Sequence, residues 1–164
     1  MIDAPLDVWY AWIGLAVAGA VTLGAVSGLP TAPPPDAASV ATTVDTVAAA
    51  DPPATARYRI AADQIGVTTR GVSLRSGGGS AFAAFGTDSV VPVDPDSPLA
   101  GVALGDHPNR AFEGPGGFAA AVATARADAT PTRTESAAEW TAGRTLHTRH
   151  VSWGETNVTL VLVA

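Results

Sequence analysis

The sequence has no cysteine and no lysine. Without cysteine there are no disulfides, no thiolate zinc or iron–sulfur ligands, no thiol nucleophile and no lipidated cysteine. Without lysine there is no phosphate-cradling Walker loop and no Schiff-base chemistry, because each needs an amine at a defined place. Basic charge is scarce: nine arginines face eleven aspartates and four glutamates, for a net charge of −6. The arginines cluster no further than scattered pairs such as Arg57/Arg59 and Arg70/Arg75. That is not the electrostatic footprint of a nucleic-acid binder, so nucleic acid is excluded as a partner.

What is abundant is apolar and small. From Val8 to Gly28 every residue is apolar, small or aromatic except Thr22 and Ser27, and no charge occurs between Asp7 and Asp36. A helix from about Val8 to Leu29 would reach roughly 33 Å, enough to cross a hydrocarbon core of ~30 Å. The sequence therefore predicts a retained N-terminal transmembrane helix, with Trp9, Tyr10 and Trp12 at the interface and Pro30 closing it. The rival is a cleaved secretory signal, with Ala25-Val26-Ser27 as a small-x-small site. The absence of Lys or Arg from Met1–Asp7 and the length of the apolar run argue against it. Small residues fall at every fourth position, Ala16, Ala20, Gly24 and Gly28, and predict close helix association in a homo-oligomer or with other membrane subunits.

Three regions follow: a tail and anchor over 1–29, a Pro-rich stalk over 30–56 and a small domain over 57–164. The stalk carries Pro33-Pro34-Pro35 and Pro52-Pro53. Between them Asp36 is placed as an N-cap for a short helix whose Val40, Val44 and Val47 share one face. The domain reads as α+β, a small and mostly antiparallel sheet with one or two packed helices. Tyr58, Ile60 and Ala62 alternate. Val67–Arg75 and Ser80–Phe85 flank the turn Ser76-Gly77-Gly78-Gly79, and Ser89–Val93 continues the meander. A helix is expected from Phe118 to Asp128 and a closing hairpin, Arg144–Trp153 with Thr156–Val163, turns at Gly154. Its last strand is apolar on both faces and should be buried.

The chemistry-bearing residues do not assemble into a motif. His147 and His150 stand an odd number of residues apart on one strand, so a regular pleat sends them to opposite faces. His107 lies beside Asp106 in a Gly/Pro-rich loop. Asp94, Asp96 and Asp106 lack the spacing of a calcium loop. Gly77–Gly79 lie between strands, not before a helix N-terminus, and read as a turn. Gly114-Pro115-Gly116-Gly117 precedes a helix, yet no basic residue follows to hold a phosphate. No Gly-x-Ser-x-Gly elbow or His-Glu-x-x-His helix occurs. No catalytic, cofactor-binding or metal residue is assigned, and no cofactor is expected. The acidic N-tail, with no basic residue, favours a domain inside the cell, whereas the Asn157-Val158-Thr159 glycosylation sequon and the Pro-rich stalk favour a domain outside, the orientation expected here.

The segments DVWYAWIGLAVAG (7–19), PPPDAASVATTVDTVAAAD (33–51), SVVPV (89–93) and RHVSWGETNVTLVLV (149–163) resemble a group of haloarchaeal membrane-anchored proteins. That group is similar in layout to archaeal type IV pilin-like subunits and to companions of type II/IV secretion ATPase loci. The resemblance implies a non-enzymatic, single-pass cell-surface subunit that acts through protein contacts. One departure is Leu6-Asp7, where a prepilin carries a basic residue and glycine. Two other readings use the same residues: a membrane-tethered ligand-binding module, and a tethered hydrolase built on His107 and nearby aspartates.

Overall fold

The computed structural model describes residues 6–27, 32–129 and 140–164. The chain divides into two compact units, Met1–Ala32 and Pro33–Ala164.

In the first unit a single helix, α1, runs over Leu6–Ser27. Among the described residues no helix is long and apolar enough to cross a membrane. The expected transmembrane helix is therefore corrected. Gly28, Leu29 and the Pro30 stop lie outside the described residues.

The second unit is α+β. Its elements are α2 (Ala37–Ala48), β1 (Thr55–Arg59), β2 (Gln64–Val67), β3 (Gly71–Ser76), β4 (Gly79–Ala84), β5 (Val90–Val93), α3 (Leu99–Leu104), α4 (Pro115–Asp128), β6 (Thr145–Trp153) and β7 (Thr156–Val163). One sheet has the order β1-β6-β7-β5, the other β2-β3-β4. All pairings are antiparallel except β5 with β7. The expected meander is thus interrupted. After β4 the chain leaves the small sheet, and β5 joins the large one alongside β7, where Val90, Val91 and Val93 are buried. Continuing as a third hairpin strand would have left that valine run on a half-exposed edge.

Strand β7 explains the architecture. Val158, Leu160 and Leu162 point into a cluster with α3 and α4, including Phe118 and Val122. The intervening Val161 points into a second cluster, with Val40 and Val44 of α2, Ile65, Leu74 and Leu146. A strand apolar at successive positions has to lie between two layers, because alternate side chains leave opposite faces. Each fully buried Leu or Val contributes about 1.5–3 kcal/mol, so the two faces of β7 seat much of the core. The hairpin closes through Gly154 at φ 63°, and a Cβ there would come within 2.8 Å of Pro115. Glycine is required on both counts.

Helix α2 starts where the sequence places it. The Asp36 carboxylate accepts the Ser39 N–H at 3.0 Å, and Val40, Val44 and Val47 are buried. The stalk reading is corrected all the same: α2 packs on the sheets as part of the core, and Val44 is fully buried. Prolines on either side stiffen its connections but do not hold it away. Helix α3 and strand β2 are absent from the sequence reading, each too short to establish a period.

Candidate functional site

Three places carry the residues of interest: helix α1, a cleft on the α3 side of the large sheet, and the rim of the β6–β7 hairpin.

On α1, Trp9, Tyr10, Trp12 and Leu15 are each at least 66% exposed, and Ile13, Val17, Val21 and Leu23 are exposed as well. At 100° per residue these positions surround the helix, so it has no polar face on which to meet water. Ala16 and Ala20 are exposed one turn apart, at the spacing that lets a second helix approach closely. Gly24 is part of the α1 backbone, and Gly28 lies outside the described residues.

The cleft has a volume of about 140 Å³ and is lined by Pro53, His107, Arg149, His150, Ser152 and Trp153 among others. His107 N-caps the 3₁₀ turn Pro108–Arg110, its Nδ1 accepting the Asn109 N–H at 3.3 Å. Its ring meets Trp153 edge-on, with centroids 6.3 Å apart. Trp153 in turn packs on Phe118, and Phe118 on Phe112. The Asp106 carboxylate is held by Arg110 at 3.2 Å, not by His107. Arg149 donates through Nη1 to the Val102 and Asp106 carbonyls, both at 2.7 Å. It adds a second donor to the Val102 carbonyl, which already accepts the Gly105 N–H at 3.1 Å, and fixes the Asp106 carbonyl just beyond α3. Sequence reasoning missed this role, since an arginine on a strand carries no mark of the carbonyls it will reach.

The two histidines of β6 part as the pleat requires. His150 is buried, its Nδ1 3.1 Å from Thr159 Oγ1. His147 turns to the other face, opposite Arg57 of β1. Burial first, and the Arg57 charge second, lower its pKa below the ordinary 6.5. Thr148, fully buried between them in sequence, has no hydrogen-bond partner for its Oγ1 among the described residues. Asp94 closes a local turn on the Asp96 N–H at 2.7 Å. Among the described residues no three acidic or imidazole groups cluster to hold a metal. Asn157 is exposed, two residues beyond Glu155 at the hairpin tip.

The cleft is well below the roughly 300–1,000 Å³ of a small-molecule site, its arginine donates to backbone carbonyls, and among the described residues its exposed histidine has no acidic partner. Helix α1 offers a large apolar contact surface. Residues 3–151 match a family described as a family of unknown function, DUF7283. No curated protein and no solved structure matches the chain.

Proposed function

We propose, for a chain that belongs to the DUF7283 family, a non-enzymatic subunit at the cell surface that acts through protein–protein contacts, as a pilin-like or secretion-associated component does. The observation that carries this reading is the all-round exposure of the apolar side chains of α1. A helix of this kind is stable only when something apolar covers it. Its small residues Ala16 and Ala20 favour another α1 as the cover, because close backbone approach is what such residues permit. The ring of Trp9, Tyr10 and Trp12 favours a position near a membrane–water boundary, where amphipathic aromatics accumulate.

The test is self-association of the full chain, measured by sedimentation in mild detergent. The double variant Ala16→Leu/Ala20→Leu fills the groove without making the helix less apolar, and should weaken association at least tenfold. Ala18→Leu adds the same bulk about 200° away from both positions and should leave it unchanged. Equal association in all three proteins would remove α1 packing as the basis of the proposed role.

A further inference from the structure

The two sheets have four edges, and three of them are guarded. Strand β1 carries the exposed Arg57 and Arg59. The four-residue β5 contains Pro92, which has no N–H to offer. The outer side of β2 is occupied by Thr141, which exchanges hydrogen bonds with Ile65 in both directions, at 2.8 and 2.9 Å. Strand β4 is the last in its sheet, and its sequence Gly79–Ala84 has neither a charge nor a proline. Edge strands are normally protected by such devices, because an open row of N–H and C=O groups invites another strand.

Which groups lie open follows from the register. The Phe85 N–H bonds to the Arg70 carbonyl, so Arg70 and Phe85 form a hydrogen-bonded pair. Alternation along the ladder makes Val72–Ala83 and Leu74–Ala81 hydrogen-bonded pairs too. Ser80, Phe82 and Ala84 therefore turn their N–H and C=O groups away from β3, toward an edge that no strand among the described residues pairs. Their side chains lie on the exposed face of the small sheet, where Phe82 is 64% exposed. The Phe82 ring lies over Gly71 of β3, where a Cβ would come within 2.8 Å of it. The ring thereby covers the backbone of β3 at Gly71.

We infer that β4 is the pairing edge for a second copy of this chain, joined antiparallel about a two-fold axis at Phe82. The edge is self-complementary in that arrangement. Phe82 exchanges both hydrogen bonds with the partner's Phe82, Ser80 with the partner's Ala84, and Ala84 with the partner's Ser80. Both Phe82 rings fall on the same sheet face, opposite one another, and the small side chains at 80 and 84 leave room for them. With no charge on β4, the two copies meet without like-charge repulsion. The result is a continuous six-stranded sheet from two three-stranded ones. This contact uses a different part of the chain from α1 and does not depend on the reading of that helix.

The natural absence of cysteine makes the register directly testable in the full chain. Residues directly opposite in a hydrogen-bonded pair have Cα atoms about 5.5 Å apart, inside the ~4.4–6.8 Å window for a disulfide. Under mild oxidation, Phe82→Cys should cross-link to itself, and Ser80→Cys mixed with Ala84→Cys should give a mixed dimer. Ser80→Cys alone and Ala84→Cys alone should not cross-link to themselves, because like positions lie roughly 14 Å apart along the strands. The pattern should persist in the Ala16→Leu/Ala20→Leu background, which separates it from α1 packing. No cross-link in any protein, self-linking of all three single variants, or equal linking in every mixture would each overturn the proposal.

Discussion

Thr148 and His147 are neighbours on β6 whose side chains meet opposite fates, and each makes a measurable claim. The Thr148 hydroxyl is buried with no partner among the described residues. Leaving a polar group unsatisfied costs about 1–3 kcal/mol, so Thr148→Val should stabilise the protein by about 1 kcal/mol, read as a rise in the urea midpoint at unchanged slope. A fall in the midpoint would mean that the hydroxyl is satisfied. His147 has a pKa lowered by burial and by Arg57. Its unfolded form binds a proton more tightly than its folded form, so its contribution to stability is present above about pH 6.5 and is lost as pH falls below that value. His147→Gln should show a smaller loss of thermal stability between pH 7 and pH 5 than the parent chain. An identical loss in both would place the acid sensitivity elsewhere. Asp36 follows the same sign at lower pH: hydrogen bonds from the Ser39 hydroxyl and then the Ser39 N–H lower its pKa, so the cap is lost as the carboxylate protonates below its ordinary 3.8.

At the scale of elements, what could be read in advance was what short-range pattern determines. Asp36 and the valines at 40, 44 and 47 set the start and face of α2, Gly77-Gly78 the β3–β4 turn, and Gly154 the closing hairpin. Two-sided apolarity marked β7 as a central strand. What could not be read was which surface each face meets. The valines of α2 look the same on a stalk as in a core; only the sheets beneath, contributed by residues as distant as Leu146 and Val161, decide it. Val44→Asp discriminates between the two. In a core it should cost more than about 3 kcal/mol, since a charge would be buried without a partner, whereas on a stalk it would be silent. Retention of the parent unfolding midpoint in that variant would return α2 to the surface. The parallel pairing of β5 with β7 was illegible for a related reason: a valine run shows that a strand will be buried, not beside which neighbour. The candidate site was less legible still. The arginine at 149 reaches a carbonyl of α3, too short to leave a period, and the aromatic chain from His107 through Trp153 to Phe118 joins a loop, β6 and α4 that lie far apart in sequence. The open edge of β4 emerges only when the other three edges are seen to be guarded.

For the whole molecule, the division at Ala32/Pro33 separates two kinds of apolar surface. Pro33–Ala164 buries its own in two clusters, one on each face of the large sheet. The unit has the size of an ordinary independent domain. A chain beginning at Pro33 should therefore unfold cooperatively within about 0.5 kcal/mol of the full chain, as expected when only side chains outside the core are removed. A chain beginning at Ala54 also lacks α2, and exposes Ile65, Leu74 and Leu146 on the face that Val40 and Val44 cover. Losing the buried Val40, Val44 and Val47 at about 1.5–3 kcal/mol each, with Ala37 and Ala41 besides, is comparable to the whole stability of a small domain, so this chain should have no cooperative transition. The same pair of truncations separates the two contacts proposed above. Removal of residues 1–32 should abolish association through α1 and leave the Phe82→Cys cross-link intact. Removal of α2 should abolish the cross-link too, since β4 then loses the helix packed on its sheet. Denaturation curves and cross-linking yields on the two truncated proteins check both expectations. A lower midpoint for the chain from Pro33 would make α1 part of the fold, instead of a surface awaiting a partner.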